Sequence, residues 1–245
     1  MTDYPLSANI YTDNSKIEIS STEVSHQLSF SHIKAAAHFA KLSYEKEDEY
    51  DDSQPSSELR DEHRSYVIGS IITAVCYLEA RINELFTNVE DISRFNHWSP
   101  DLTQKMKETW YDERKLKLIE KYEKALCIVK SESFDRGAEP YQSAASLISL
   151  RNALIHYKPE WIGSGESYNN TINEKLRQKL ENKIKKLNPM TPEGSLFFPH
   201  RCLGYGCAKW AVESSLNFSN EFFSKIGLPS NLDQDYQLNL NLPQI

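Results

Sequence analysis

Arg151, Asn152 and His156 are the residues whose types and spacing best suit chemistry in this chain. On a helical wheel turning about 100° per residue, with Leu147 at the origin, Leu147, Leu150 and Leu154 share one narrow apolar arc. Arg151 falls about 40° from that arc, Asn152 near 140° and His156 near 180°. Asn152 and His156 are spaced i,i+4, so their side chains are neighbours. Arg151 stands one turn from Leu147 on one side and from Ile155 on the other. A guanidinium held there is partly desolvated and calls for an anionic partner, either an ion pair or a ligand. His156 falls in the last turn before Pro159, at the helix end that favours a cation. Imidazole is the side chain best suited to exchanging a proton near neutral pH.

An anion-binding arginine beside a proton-exchanging histidine suits phosphodiester cleavage. RNA is cut without a metal when its 2′-OH attacks the adjacent phosphate. That needs a base on the 2′-OH, an acid on the leaving 5′-oxygen and a cation on the phosphoryl oxygens. Arg151 would supply the charge, bidentate to phosphate. His156 would move the proton, and Asn152 would hold the imidazole or the phosphate. One histidine cannot easily stand on both sides of an in-line displacement. Two motifs facing across a two-fold axis would solve this, so the expected state is a homodimer with the motif at its interface. Glu79 ends the apolar row Ile72–Val75–Glu79 and is a supporting candidate, expected to pair with Arg151 and orient it; an ordinary surface carboxylate is the competing reading. Tyr157, directly after the histidine, is the second supporting candidate.

The run Arg151-Asn152-Ala153-Leu154-Ile155-His156 resembles the R-N-x-x-x-H signature of the HEPN superfamily. The stretch Tyr77-Leu78-Glu79-Ala80-Arg81-Ile82-Asn83-Glu84-Leu85-Phe86 is similar to that family's long apolar second helix. Together the resemblance covers roughly residues 29–161. It implies a helical core of four to six helices and a dimer that joins two motifs. It also implies a metal-independent endoribonuclease in a toxin or defence role, with RNA as substrate and an antitoxin or regulatory protein as a further partner. Some members carry a tyrosine two places after the histidine; Lys158 stands there in this chain, so a role for Tyr157 does not carry over. A competing expectation from another class is a non-catalytic HEPN-like helical module that binds a partner protein or a nucleotide.

The elements that must position these residues read as helices. The 8 glycines and 10 prolines cluster between long periodic stretches, which favours helices over a many-stranded sheet. About six are predicted: residues 29–45, 61–89, 102–130, 141–158, 173–187 and 203–226. In the second, Val67, Ile71, Ala74, Leu78, Ile82 and Leu85 recur at three- and four-residue steps, the stripe of a core-facing helix. Pro140 suits a first helical position, Pro159 a stop and Gly227 a C-terminal cap. The expected fold is all-α, an antiparallel bundle of one domain over residues 29–227. Residues 1–28 and 228–245 read as extended tails. Within them, Lys16–Ser20 and Tyr236–Leu242 alternate like short strands that could pair.

Composition bounds the remainder. The 245 residues are 39% hydrophobic and 26% charged, the mix of a globular protein. A net charge of −7 argues against a scaffold that grips long duplex DNA, while leaving room for a local basic cleft. The opening residues lack a secretory signal, and the longest nearly apolar run, Tyr66–Leu78, falls short of the roughly 20 residues a bilayer needs. The four cysteines form no disulfide framework. The expected setting is therefore cytoplasmic, with no membrane. Lys175, Arg177, Lys179, Lys183, Lys185 and Lys186 make the fifth helix basic. An amphipathic, charge-laced helix is the plainer reading, and an RNA path the sharper one. Glu45 to Asp52 reads as a solvated acidic loop. His200, Cys202 and Cys207 match no metal-site spacing. No nucleotide-binding, zinc-protease or serine-hydrolase motif occurs, so neither a metal nor a cofactor is expected.

Overall fold

The computed structural model describes residues 28–50, 54–96, 98–113, 116–158, 172–229 and 242–244. Among them the chain is all-helical: α1 (Ser29–Asp48), α2 (Ser57–Thr87), α3 (Val89–Asn96), α4 (Pro100–Glu113), α5 (Leu118–Lys130), α6 (Tyr141–Ile155), α7 (Ile172–Leu180) and α8 (Tyr205–Ile226). A short kinked helical turn at Phe197–Arg201 precedes α8. The strands expected at residues 16–20 and 236–242 lie outside the described residues, except Leu242, which is not in a strand.

The core is a hairpin of α1 and α2 laid against α8, with α5 and α6 packed on the flanks. The α2 stripe read from the sequence, Val67, Ile71, Ala74, Leu78, Ile82 and Leu85, is buried throughout. Ser56 starts α2 by accepting the Leu59 N–H at 3.1 Å, which satisfies one of the helix's orphan donors. Gly227 ends α8 in the left-handed region (φ 77°), and the Leu228 N–H reaches back to the Phe223 carbonyl at 2.9 Å. By length and composition α2 would pass as a membrane span. It is the central helix of this bundle, however, and its apolar stripe is covered by neighbouring helices.

The expected helix 102–130 is two helices, α4 and α5. Lys117 adopts an extended backbone (φ −63°, ψ 152°), and its N–H donates to Glu120 Oε2 at 3.0 Å. A carboxylate three residues on thereby starts a new helix without a glycine or proline to announce it. The second predicted helix likewise ends at Asn88, and α3 begins there. The fifth stops at Leu180, short of Leu187.

Polar contacts inside this core are directed. Tyr122 donates to the Leu78 carbonyl at 2.7 Å, and its ring meets those of Phe218 and Phe222 edge-on. Arg81, nearly fully buried, lies 4.1 Å over the Phe223 ring, a geometry that stabilises a desolvated cation.

The acidic run from Glu45 is no solvated loop at Glu47. That residue falls in the last turn of α1 with its side chain 1% exposed. Glu47 Oε1 accepts the Tyr205 N–H at 2.6 Å and lies 3.1 Å from His63 Nε2. Lys186 Nζ stands 3.3 Å from Oε2, an ion pair without hydrogen-bond geometry. The carboxylate ties the end of α1, the start of α2 and the start of α8 together. At that start the backbone of α8 presses on the segment before it. A Cβ on Gly206 would stand 2.2 Å from the Lys186 carbonyl oxygen.

Two outcomes are expected in denaturant titrations. Glu47→Ala leaves buried donors without an acceptor and should lower stability by about 3–5 kcal/mol. Gly206→Ala should lower it by about 2–3 kcal/mol, although alanine is the better helix former, because the opposing atom is backbone and cannot rotate away. A stability within half a kcal/mol of the parent for either variant would contradict this account of the joint.

Candidate functional site

Helix α6 presents the sequence motif on two flanks. Ala144, Leu147 and Leu150 are fully buried against the core, while Leu154 is only partly so. Arg151 sits at the edge of this face, partly buried. It lines a groove of 270 Å³ between α2 and α6, together with His32, Cys76, Glu79, Asn83 and Ile155. Its Nε is buried and has no hydrogen-bond partner, and no ion pair to Arg151 occurs among the described residues.

Asn152 and His156 point away from that groove and are exposed. The helix, predicted over 141–158, ends at Ile155, so His156 is the C-cap, with its N–H on the Asn152 carbonyl at 2.9 Å. Around the α6 axis Arg151 and His156 stand about 140° apart. One chain therefore brings Asn152 and His156 together and holds Arg151 on the other flank. Two large apolar side chains beside the histidine are left about half exposed, Ile155 at 49% and Tyr157 at 48%. The Tyr157 ring meets Phe198 edge-on at 6.0 Å.

Glu79 does line the groove with Arg151, but the expected pairing is not made. Its Oε1 accepts from Lys121 Nζ at 3.2 Å, and Lys121 also donates to Asn83 Oδ1 at 3.1 Å. The physical reason is burial. The Lys121 side chain is only 7% exposed, and a desolvated ammonium claims the nearest carboxylate. The groove's acid is thus committed to α5 and leaves Arg151 without a partner. Asn83 and Cys76 were legible as neighbours of Glu79, since positions 76, 79 and 83 share one face of α2. Lys121 and His32 carry no such signal, because they arrive from other helices.

The groove offers no ready thiol nucleophile. Burial pushes the Cys76 thiol up, and the positive field of Arg151 only partly opposes it. Cys202 and Cys207 lie fully buried, with burial raising Cys202 to about 12. Among the described residues no three His, Cys, Asp or Glu side chains are grouped to hold a metal ion.

Comparison with known proteins finds no matching family model, no matching curated protein and no matching solved structure. The functional reading accordingly stands on the residues and their geometry.

Alkylation with iodoacetamide at mildly alkaline pH checks the electrostatics of the groove. Cys127 is exposed and should react first, Cys76 slowly, and Cys202 and Cys207 only on unfolding. In Arg151→Met, Cys76 should react about two- to three-fold more slowly still, because the field that favours its thiolate is gone. Peptide mass spectrometry reads each site; faster modification of Cys76 in that variant would place Arg151 elsewhere.

Proposed function

We propose that the protein is a metal-independent endoribonuclease of the HEPN type, acting through Arg151, Asn152 and His156 in a toxin or defence role. The observation that carries this reading is the guanidinium of Arg151. Its Nε is a buried donor with no acceptor, at the wall of an open groove whose one carboxylate among the described residues, Glu79, is taken by Lys121. A buried polar group is ordinarily satisfied, and a phosphodiester oxygen is an acceptor of matching charge and geometry. On the other flank of α6 the Asn152/His156 pair is exposed.

In the mechanism we infer, an imidazole removes the 2′-OH proton as that oxygen attacks phosphorus. The guanidinium stabilises the charge that grows on the phosphoryl oxygens, and a proton is delivered to the departing 5′-oxygen. The products are a cyclic phosphate and a free 5′-hydroxyl. The 140° between Arg151 and His156 keeps one chain from wrapping both groups around one phosphate. A two-fold dimer through the end of α6 would set the arginine of one protomer against the histidine of its partner. It would also cover Ile155 and Tyr157, the exposed apolar residues that flank His156.

The second reading, a non-catalytic HEPN-like module that binds a partner protein or a nucleotide through the α2/α6 groove, is favoured by the same angular separation. An antitoxin or regulatory protein is a natural occupant of that face under either reading.

Purified protein incubated with total RNA in EDTA should cleave it. Arg151→Ala should lower the rate by about 10²–10³-fold and His156→Ala by about 10²–10⁴-fold. Mixing the two inactive variants should restore roughly a quarter of the activity, because half of the dimers then hold one intact site made from both chains. No cleavage by the parent protein under these conditions would hand the groove to the binding-module reading. Cleavage without recovery on mixing would put the whole site within one chain.

A further inference from the structure

On the flank of α6 opposite Arg151 lies a second, larger cleft of 610 Å³, walled by α6 and α7 and by the residues just after α7. Its α6 wall includes Gln142, Ala145 and Ser149. Counted at about 100° per residue, these positions share one face with Asn152 and His156, at steps of three and four. The wall of the cleft and the histidine are thus one continuous stripe, with Ser149 about 10 Å along the axis from His156.

Most of the lining side chains are polar types, and their summed charge is positive. Arg136, Lys179 and Lys183 face it against one carboxylate, Glu139. Arg136 is held by Glu123, at 2.8 and 3.0 Å, and Lys183 pairs with Glu139. Burial pushes the Glu139 carboxyl up, but the Lys183 ammonium and the Ser143 groups outweigh it, so the acid stays ionised and that pair persists. Lys179 is different. Its Nζ has the Ser149 hydroxyl at 3.4 Å and no ion pair among the described residues. Its ammonium stays available to an incoming anion, on the wall that leads to His156. The volume falls in the range of ligand-binding clefts, while the amides of Gln142 and Gln178 offer donors and acceptors and apolar side chains are few. A nucleotide chain, with anionic phosphates and apolar ribose and base faces, fits that lining.

We propose that the α6/α7 cleft is the docking channel for a single-stranded RNA, gripping its backbone phosphates through Lys179 and delivering the strand along the Gln142–Ser149–Asn152 stripe to His156. The inference rests on the ribonuclease reading of His156 and extends it to the binding of substrate. Of the basic residues in and just after α7, Lys179 and Lys183 line the cleft, while Arg177 pairs with Glu181 and Lys186 with Glu47.

The test is fluorescence anisotropy of a labelled oligouridylate with 2′-O-methyl sugars, which cannot be cleaved by 2′-OH attack, titrated over a range of salt concentrations. Lys179→Gln should weaken binding by about five-fold or more and lower the salt slope by about 0.7, one phosphate contact on a single strand. Lys179→Arg should restore both. Lys225→Gln, on α8 and paired with Glu221, should change neither. Binding by Lys179→Gln that equals the parent in affinity and slope overturns the channel, as does a parent protein that fails to bind the oligonucleotide at low salt. A parallel assay with unmodified RNA in EDTA separates the two readings. Cleavage by the parent with Lys179→Gln binding unchanged removes the channel and leaves the nuclease. Lys179-dependent binding without cleavage removes the nuclease and leaves the channel.

Discussion

The buried carboxylate of Glu47 is the interaction on which the arrangement of helices depends. A charge placed in a dry interior is tolerated only when partners surround it. Here those partners come from places far apart in the chain: His63 in α2, the Tyr205 amide at the head of α8, and Lys186 in the segment before it. The carboxylate therefore sets where α8 begins relative to the α1/α2 hairpin. Because α8 packs on α1, α2, α5 and α6, the same anchor fixes the floor against which α6 lies. Apolar burial supplies most of the cohesion, but burial is not directional. The ionic joint selects one register of α8 among those an apolar face would permit.

Helix α6 is built to serve two surfaces. Its apolar edge lies on the core, its arginine faces the groove with α2, and its polar stripe runs along the cleft with α7. Neither surface is deep. Each is walled by helices whose inner faces are buried, so positions along α6 are held by packing rather than by the groups that would meet a ligand. The commitment of Glu79 to Lys121 belongs to the same division. An internal cation takes the nearby acid, and the Arg151 Nε at the groove wall is left without a hydrogen-bond partner.

Much of this was legible in the sequence, and the limits are physical. The α2 stripe was readable because a period of three and four residues reports a buried face directly, and each position so marked is buried. Gly227 was readable as a cap because its backbone conformation suits glycine. The all-helical class followed from long periodic runs with few breakers, and the edge position of Arg151 from the wheel. Sequence failed where a local rule was overridden from afar. Glu47 sits in an acidic run that any composition rule places in water, and its partners lie 16, 139 and 158 positions away. Glu79 could be put on the right face of α2, but its partner comes from α5, 42 residues on. The break between α4 and α5 has no glycine or proline, and rests on a glutamate folding back onto the amide of Lys117.

Gly206 meets the Lys186 carbonyl oxygen backbone to backbone, without room for a methyl group. Most neighbouring elements here touch through side chains, which have slack and can change rotamer; this contact has none. The head of α8 and the peptide at residue 186 consequently behave as one rigid fulcrum. Helix α7 leads into that joint through residues 181–186, and its first turn is held as well, where Asn173 Oδ1 accepts the Phe198 N–H at 2.9 Å. The α7 wall of the α6/α7 cleft is therefore pinned near both of its ends, by a backbone contact at one and a side-chain bridge at the other.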